Sequence, residues 1–228
     1  MKIEILQEIV KNKSSKKRFA VLKNLTNSKN ELFEIGSPLS DEFNVHKKNI
    51  ENYYNLKKNG IIDGTNIFIQ NYTKPIQVII VGAVHIAQHL IDLSKNLNFM
   101  ITIIDPREYF VNKQEFKNVK IINEWPVIIL KQFQSDSNSA LITLTHDPKI
   151  DDPALQFALD KKFFYIGALG SKKTHEKRCQ RLRDSGYTEK QIDSIHGPIG
   201  LKLGGKSAPE IALSIIAQLV FESNKFNI

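Results

Sequence analysis

Ile76-Gln-Val-Ile-Ile-Val81, followed at once by Gly82-Ala-Val-His-Ile-Ala87, decides how this chain is read. The first segment is a nearly unbroken apolar, β-branched run of strand length, which suits a strand buried on both faces. Gly82 permits a tight turn. His85, His89, Leu90 and Leu93 then fall at helical spacing. Four further runs repeat the pattern at Met100–Ile104, Val119–Ile122, Ala140–Leu144 and Phe163–Ile166, with helical stretches over 151–161, 172–185, 188–195 and 208–223. Apolar strands alternating with helices predict a parallel sheet covered on both sides. Residues 75–228 are therefore expected to form a Rossmann-like, doubly wound α/β domain.

The grammar upstream differs. A short amphipathic helix is predicted over 3–12, a hairpin from Phe19–Leu25 and Glu31–Ile35, a helix over 41–58 stopped by Asn59-Gly60, and a strand over Ile67–Tyr72. Lys74-Pro75 marks the boundary, so residues 1–74 are expected to be a small α+β N-terminal domain.

The chain has 228 residues, and 25% are charged, an ordinary composition for a globular protein. Its single cysteine, Cys179, excludes an internal disulfide, a CxxC redox pair and a multi-cysteine zinc site. The net charge is +8, which raises the question of nucleic acid. Lysines outnumber arginines 27 to 5, beside 31 Ile and 19 Asn, a bias that an AT-rich coding sequence produces. Phosphate and base recognition favours the arginine fork, so a solvated basic surface is expected and nucleic acid is not. No apolar stretch is long enough for a membrane helix. The opening residues lack a signal-peptide pattern, and a cytoplasmic address follows as an expectation.

Ligands of open parallel sheets bind beyond the carboxyl ends of the strands, so the strand ends form one set of candidates. Gly82, Ala83, Val84 and His85 occupy half of a G-x-G-x-x-G/A fingerprint, with Ala87 at its last position and Val84 where the second glycine would admit a pyrophosphate. Asp105 ends the second strand where an acidic residue would hold a ribose hydroxyl, or would cap the next segment, and Arg107 follows with a fork suited to anions. Thr145, His146 and Asp147 follow the fourth strand. His146 beside a carboxylate has the chemistry of a tuned acid or base, whereas Asp147 ahead of Pro148, or the later Asp151, has that of a helix cap. Gly167, Gly170, Ser171 and Lys172 follow the fifth strand and open a basic helix, the strongest expected anion site. His85 and His89 lack a third ligand, so no metal is expected. Cys179 is expected to be packed rather than reactive. Glycines at 197, 200, 204 and 205 suggest a loop folding over a ligand. No residue is assigned a catalytic role.

Six segments occur in a fixed order: Gly82-Ala-Val-His-Ile-Ala87, Asp105-Pro-Arg107, Leu144-Thr-His-Asp147, Tyr165-Ile-Gly-Ala-Leu-Gly-Ser171 with Thr174-His175, Pro198-Ile-Gly-Leu201, and Ser207-Ala-Pro-Glu-Ile-Ala212. Together, over about residues 76–222, they resemble the XdhC/CoxI family, the accessory proteins of xanthine dehydrogenase and related molybdenum hydroxylases. The resemblance implies a maturation factor that binds the molybdenum cofactor (molybdopterin, in mono- or dinucleotide form), protects it during sulfuration and delivers it to the apoenzyme. The implied partners are a xanthine dehydrogenase-type molybdenum hydroxylase and a cysteine desulfurase, and a homodimer is the expected assembly. Fuller members carry an N-terminal domain with a G-S-x-P-R stretch and a Gly-Gly-Cys-x-Glu motif. Residues 1–74 have neither, and Gly36-Ser37-Pro38 is only a faint echo. The favoured reading is a cofactor chaperone without turnover of its own. The competing readings are an NAD(P)-binding oxidoreductase, supported by Asp105 and opposed by Val84, and an interaction protein whose ligand edge is vestigial.

Overall fold

The computed structural model describes residues 3–15, 17–111, 116, 119–133, 137–161 and 163–225. The chain divides between Pro75 and Ile76 into two compact units. In the first, helix α1 (Ile3–Ser14) precedes strands β1 (Phe19–Asn24) and β2 (Asn30–Phe33), helices α2 (Asp41–Asn44) and α3 (Lys47–Asn55), and strands β3 (Gly60–Ile61) and β4 (Ile67–Tyr72). The strands form an antiparallel sheet in the order β2-β1-β4-β3. Phe43, Ile50, Tyr53 and Tyr54 pack from the helices onto Ala20, Leu22 and Ile69. The single helix expected over 41–58 is broken at Val45 and His46. Asn44, Val45 and His46 are three consecutive weak helix formers, which accounts for the break.

The second unit continues with β5 (Ile76–Val81), α4 (His85–Ser94), β6 (Phe99–Ile104), α5 (Glu108–Val111), β7 (Lys120–Ile122), α6 (Pro126–Leu130), β8 (Ser139–Thr143), α7 (Pro148–Leu159), β9 (Tyr165–Ala168), α8 (Lys172–Asp184), α9 (Glu189–Ile192), β10 (Ile195–His196) and α10 (Ala208–Lys225). Its sheet is parallel throughout, in the order β10-β9-β8-β5-β6-β7. Read from β7, this is the 3-2-1-4-5-6 order of a Rossmann sheet, with the reversal between β5 and β8. Alternate residues of the deciding segment serve opposite faces. Ile76, Val78 and Ile80 pack with Ala87 and Leu90 of α4 and Ile215 and Leu219 of α10. Ile79 and Val81 pack with Ile150 and Leu155 of α7 and Leu182 of α8. The doubly wound class expected from the sequence is thus the observed one. The fifth expected strand begins two residues later, at Tyr165, and a sixth, β10, lies where the end of a helix was expected. Two residues are too few to leave a periodic signal.

Two details carry testable consequences. Gly167 lies inside β9, where a Cβ would stand 2.4 Å from Ile199 Cδ1 and 2.9 Å from the Tyr165 ring. Its smallness serves close packing of the 197–201 segment on the sheet. Gly167→Ala is expected to destabilise the protein by about 1–3 kcal/mol through overpacking, and adding Ile199→Val should recover part of that loss in urea denaturation.

In the first unit, Lys57 takes a left-handed backbone (φ 52°), and its Nζ is buried without a hydrogen-bond partner. Burial, reinforced by the nearby Arg18 guanidinium, lowers its pKa to about 8. The folded state therefore resists protonation of Lys57. The penalty is full below pH 8 and fades as the pH rises toward 10.5, the ordinary lysine value. Lys57→Met should melt higher than the unaltered protein at neutral pH, and thermal melts between pH 8 and 10.5 should show that advantage shrinking.

Candidate functional site

The parallel register brings the expected strand-end residues to one edge. Val81 pairs with Ile104 on one side and Thr143 on the other, so Gly82, Asp105 and Thr145 end neighbouring strands. Gly82 has φ 114°, and a Cβ there would lie 2.9 Å from Thr145 Cγ2. Only glycine allows the two strand ends to approach so closely at the reversal point.

Asp105 organises this edge. It is fully buried. Its Oδ2 accepts from the Ala83 N–H at 2.8 Å and from Arg107 Nη2 at 2.8 Å, and its Oδ1 accepts from the Arg107 N–H at 3.0 Å and Nε at 2.9 Å. The Asn123 amide donates to its carbonyl at 2.9 Å. Four donors fill the carboxylate's acceptor sites. In this conformation Asp105 is engaged in fixing the β5–α4 turn and the Arg107 guanidinium, and the ribose contact expected of it would require exchange of one of these bonds.

Val84 is the N-cap of α4, with extended backbone and no side-chain capping bond, and its side chain packs against the α4–α10 core cluster. The first turn of α4 therefore presents N–H groups without a side-chain cap at the carboxyl edge. His85 begins this helix, is exposed, and lies edge-on to His89 with Nε2 atoms 3.3 Å apart. Among the described residues, no group of three or more His, Cys, Asp or Glu side chains is arranged to hold a metal ion.

Beyond β8 the backbone makes a sharp reversal. The Thr145 hydroxyl donates to Asp151 Oδ1 at 2.6 Å and accepts from the Asp147 N–H at 3.1 Å. Asp147 caps α7 by accepting from the Lys149 N–H at 2.9 Å, which is the capping alternative read from the sequence. Between them His146 is exposed and left-handed, with φ 62°. A non-glycine residue held there directs its ring outward from the strand end at some cost in backbone strain.

After β9, Gly170 has φ 149°, and Ser171 caps α8 by accepting from the Thr174 N–H at 3.1 Å. The basic start of this helix divides between two cavities. Ser171 and Lys173 line one of about 300 Å³ together with His146. Lys172 lines a larger one of about 630 Å³ with His175, His196 and Lys202. The single cradle expected over Gly167–Lys172 is therefore two surfaces, and Gly167 itself is committed to packing. Glycines 197, 200 and 205 likewise face His175, Ser214 and Glu210, where side chains would collide. Contacts with α8 and α10 thus explain three of the four glycines that suggested a ligand-covering loop, and Gly204, with φ 87° and open space around it, serves the backbone conformation alone. Cys179 is buried in the α7–α8 core, and burial raises its thiol pKa.

Sequence reasoning missed the weight of Asp151 and Arg178. Both are 2% exposed and line the smaller cavity. They belong to different helices, and only the packing of α7 on α8 brings them together. No local spacing signals that apposition.

A model of the XdhC Rossmann domain matches residues 78–219. A molybdenum cofactor insertion chaperone of Escherichia coli, PaoD, is 38% identical over 86 residues, covering 38% of this chain and 27% of that protein. A protein of Bacillus subtilis named as a probable component of xanthine dehydrogenase is 28% identical over 157 residues, covering 68% of this chain and 46% of that protein. The chain thus spans less than half the length of these curated relatives. A crystal structure described as a xanthine dehydrogenase from Bacillus halodurans superposes with a TM-score of 0.73 at 23% identity, over 97% of this chain and 67% of the other, a likeness of fold. With its reversal-point turn, its Rossmann strand order and the match over residues 78–219, the chain belongs to the XdhC Rossmann domain family.

Proposed function

We propose that this protein is an accessory factor for a xanthine dehydrogenase-type molybdenum hydroxylase, binding the molybdenum cofactor at the carboxyl edge of its parallel sheet and handing it to the apoenzyme. The observation that carries the reading is the concentration of open donors at that edge. The first turn of α4 lacks a side-chain cap, and the mouth of the smaller cavity carries Lys173 and Lys177. The molybdenum cofactor is anionic through its phosphate and oxo groups, and such donors complement it. Family membership and the name of the relative PaoD support the same assignment.

In this proposal Val84 and His85 offer backbone to the cargo, Gly82 and Ala83 shape the turn beneath them with their own N–H groups given to Ile104 and Asp105, and Asp105 and Arg107 hold that turn in place. Thr145, His146 and Asp147 form the neighbouring wall, and Gly170, Ser171 and Lys172 complete the rim. His146 is a ring poised to contact the cargo. Sulfuration of the held cofactor, with a cysteine desulfurase as sulfur source, and a homodimeric assembly belong to the same proposal. Residues 1–74 lack the cysteine motif of fuller members, and Cys179 is buried, so neither supplies a sulfur-relay thiol.

The alternative cargo is NAD(P), and the residues at the fingerprint weigh against it. Val84 replaces the glycine that lets a pyrophosphate approach, and both Asp105 oxygens are occupied.

Purification from cells making the cofactor should yield protein with near-stoichiometric molybdenum by elemental mass spectrometry and a pterin absorbance. Calorimetric titration should show no micromolar binding of NAD or NADP. Tight dinucleotide binding with no molybdenum retention would exchange this reading for an oxidoreductase. Asp105→Asn should cost about 1–3 kcal/mol of stability, because a buried charged acceptor shared by several donors is lost. Chemical denaturation measures that loss, and cofactor retention should fall with it as the β5–α4 turn loosens.

A further inference from the structure

The smaller cavity, between α7 and α8, holds two buried side chains of opposite charge that leave atoms unpaired. Asp151 uses Oδ1 to accept the Thr145 hydroxyl, and its Oδ2 has no partner. Arg178 donates from Nη2 to the Leu169 carbonyl at 2.9 Å and lies 3.5 Å from His175 Nδ1 through Nη1, while its Nε has no partner. Both residues are 2% exposed, and both line the cavity. They do not form an ion pair with each other within 4.0 Å. Orphaned groups of this kind are destabilising unless something is placed between them.

The surrounding charge says what that something is. Lys173, Lys177 and Arg181 recur every fourth residue along one face of α8. Arg181 is held by Asp152 in a two-bond fork. Lys173 and Lys177 are exposed and are in no ion pair among the described residues. The cavity therefore has surplus positive charge at its mouth, a buried guanidinium donor below, and a carboxyl group beside it. Burial raises the Asp151 pKa, against the opposing pull of the Thr145 hydroxyl and Arg178, so this carboxyl is suited to sharing a proton.

We propose that this cavity binds the phosphoryl group of a phosphate monoester, with Arg178 donating from Nε, Lys173 and Lys177 closing over the outer oxygens, and Asp151 sharing a single proton with one phosphate oxygen. The identity of the molecule that brings the phosphate rests on the cofactor reading above, but the site can be tested without it. A proton between Asp151 and the ligand gives the site a preference. Hydrogen phosphate supplies that proton itself, whereas sulfate has none to give near neutral pH.

The test is calorimetric titration of the full chain with inorganic phosphate and with sulfate, near neutral pH and at low ionic strength. Saturable one-to-one phosphate binding is expected, with sulfate weaker by about tenfold, the factor set by one charge-assisted hydrogen bond. Arg178→Met should weaken phosphate by tenfold or more, and Lys177→Ala by a few-fold. Lys202→Ala, which removes a positive charge from the other cavity, should change it less than twofold. Asp151→Asn should retain binding and erase the preference for phosphate over sulfate. If Arg178→Met fails to fold, as circular dichroism would show, Lys177→Ala and Asp151→Asn carry the test. Absence of saturable phosphate binding overturns the site, as does binding that Lys202→Ala weakens as much as Lys177→Ala. An unchanged phosphate preference in Asp151→Asn overturns the proton-sharing role. Phosphate binding without molybdenum retention would keep this site and remove the cofactor reading, and molybdenum retention without phosphate binding would do the reverse.

Discussion

The carboxylate of Asp105 is the constraint on which the candidate edge depends. It ties the end of β6 to the turn after β5 through the Ala83 N–H, and it grips Arg107 with both oxygens. A fully buried carboxylate is tolerable only when its lone pairs are filled. Here the donors that fill them are those of the β5–α4 turn and the residue two positions downstream. The arrangement holds the start of α4 at a fixed height above the sheet, and the same turn brings Gly82 against Thr145. Turn, helix start and β8–α7 reversal therefore form one rigid assembly, stabilised by a group that the sequence suggested as a ligand contact.

Much of the Rossmann unit is legible in the sequence because its physics is local. Buried parallel strands must be apolar on both faces, and Ile76 to Val81 shows this in six residues. Strand ends then locate Gly82, Asp105 and Thr145 on one edge without further information. The features that were not legible depend on partners distant in the chain. Gly167 reads as a ligand-approach glycine until Ile199 is seen against it. Asp151 and Arg178 read as a helix-start carboxylate and one charge in a basic helix until α7 packs on α8. The division of Lys172 and Lys173 between two cavities follows from the rotation of a helix about its axis, which composition does not reveal.

The cavities also separate two chemical environments on one edge. The smaller pairs exposed lysines with the buried Asp151 and Arg178. The larger includes His175 and His196, and burial lowers the pKa of both rings. His196 stacks on Tyr165 with ring centroids 4.7 Å apart, and the Tyr165 hydroxyl donates to Gln218. One surface carries surplus positive charge, and the other is lined by two imidazoles, one of them backed by the buried Tyr165 ring.

The sheet margins have a consequence for the behaviour of the chain among its own copies. The outermost strands of the parallel sheet are β10, two residues long, and β7, three residues long. Pro198 follows β10 almost at once and has no N–H to donate. Margins this brief offer almost no template onto which a neighbouring molecule could add a strand. Copies of this chain crowded together would find little on either margin of the parallel sheet from which edge-to-edge growth of fibrils could start.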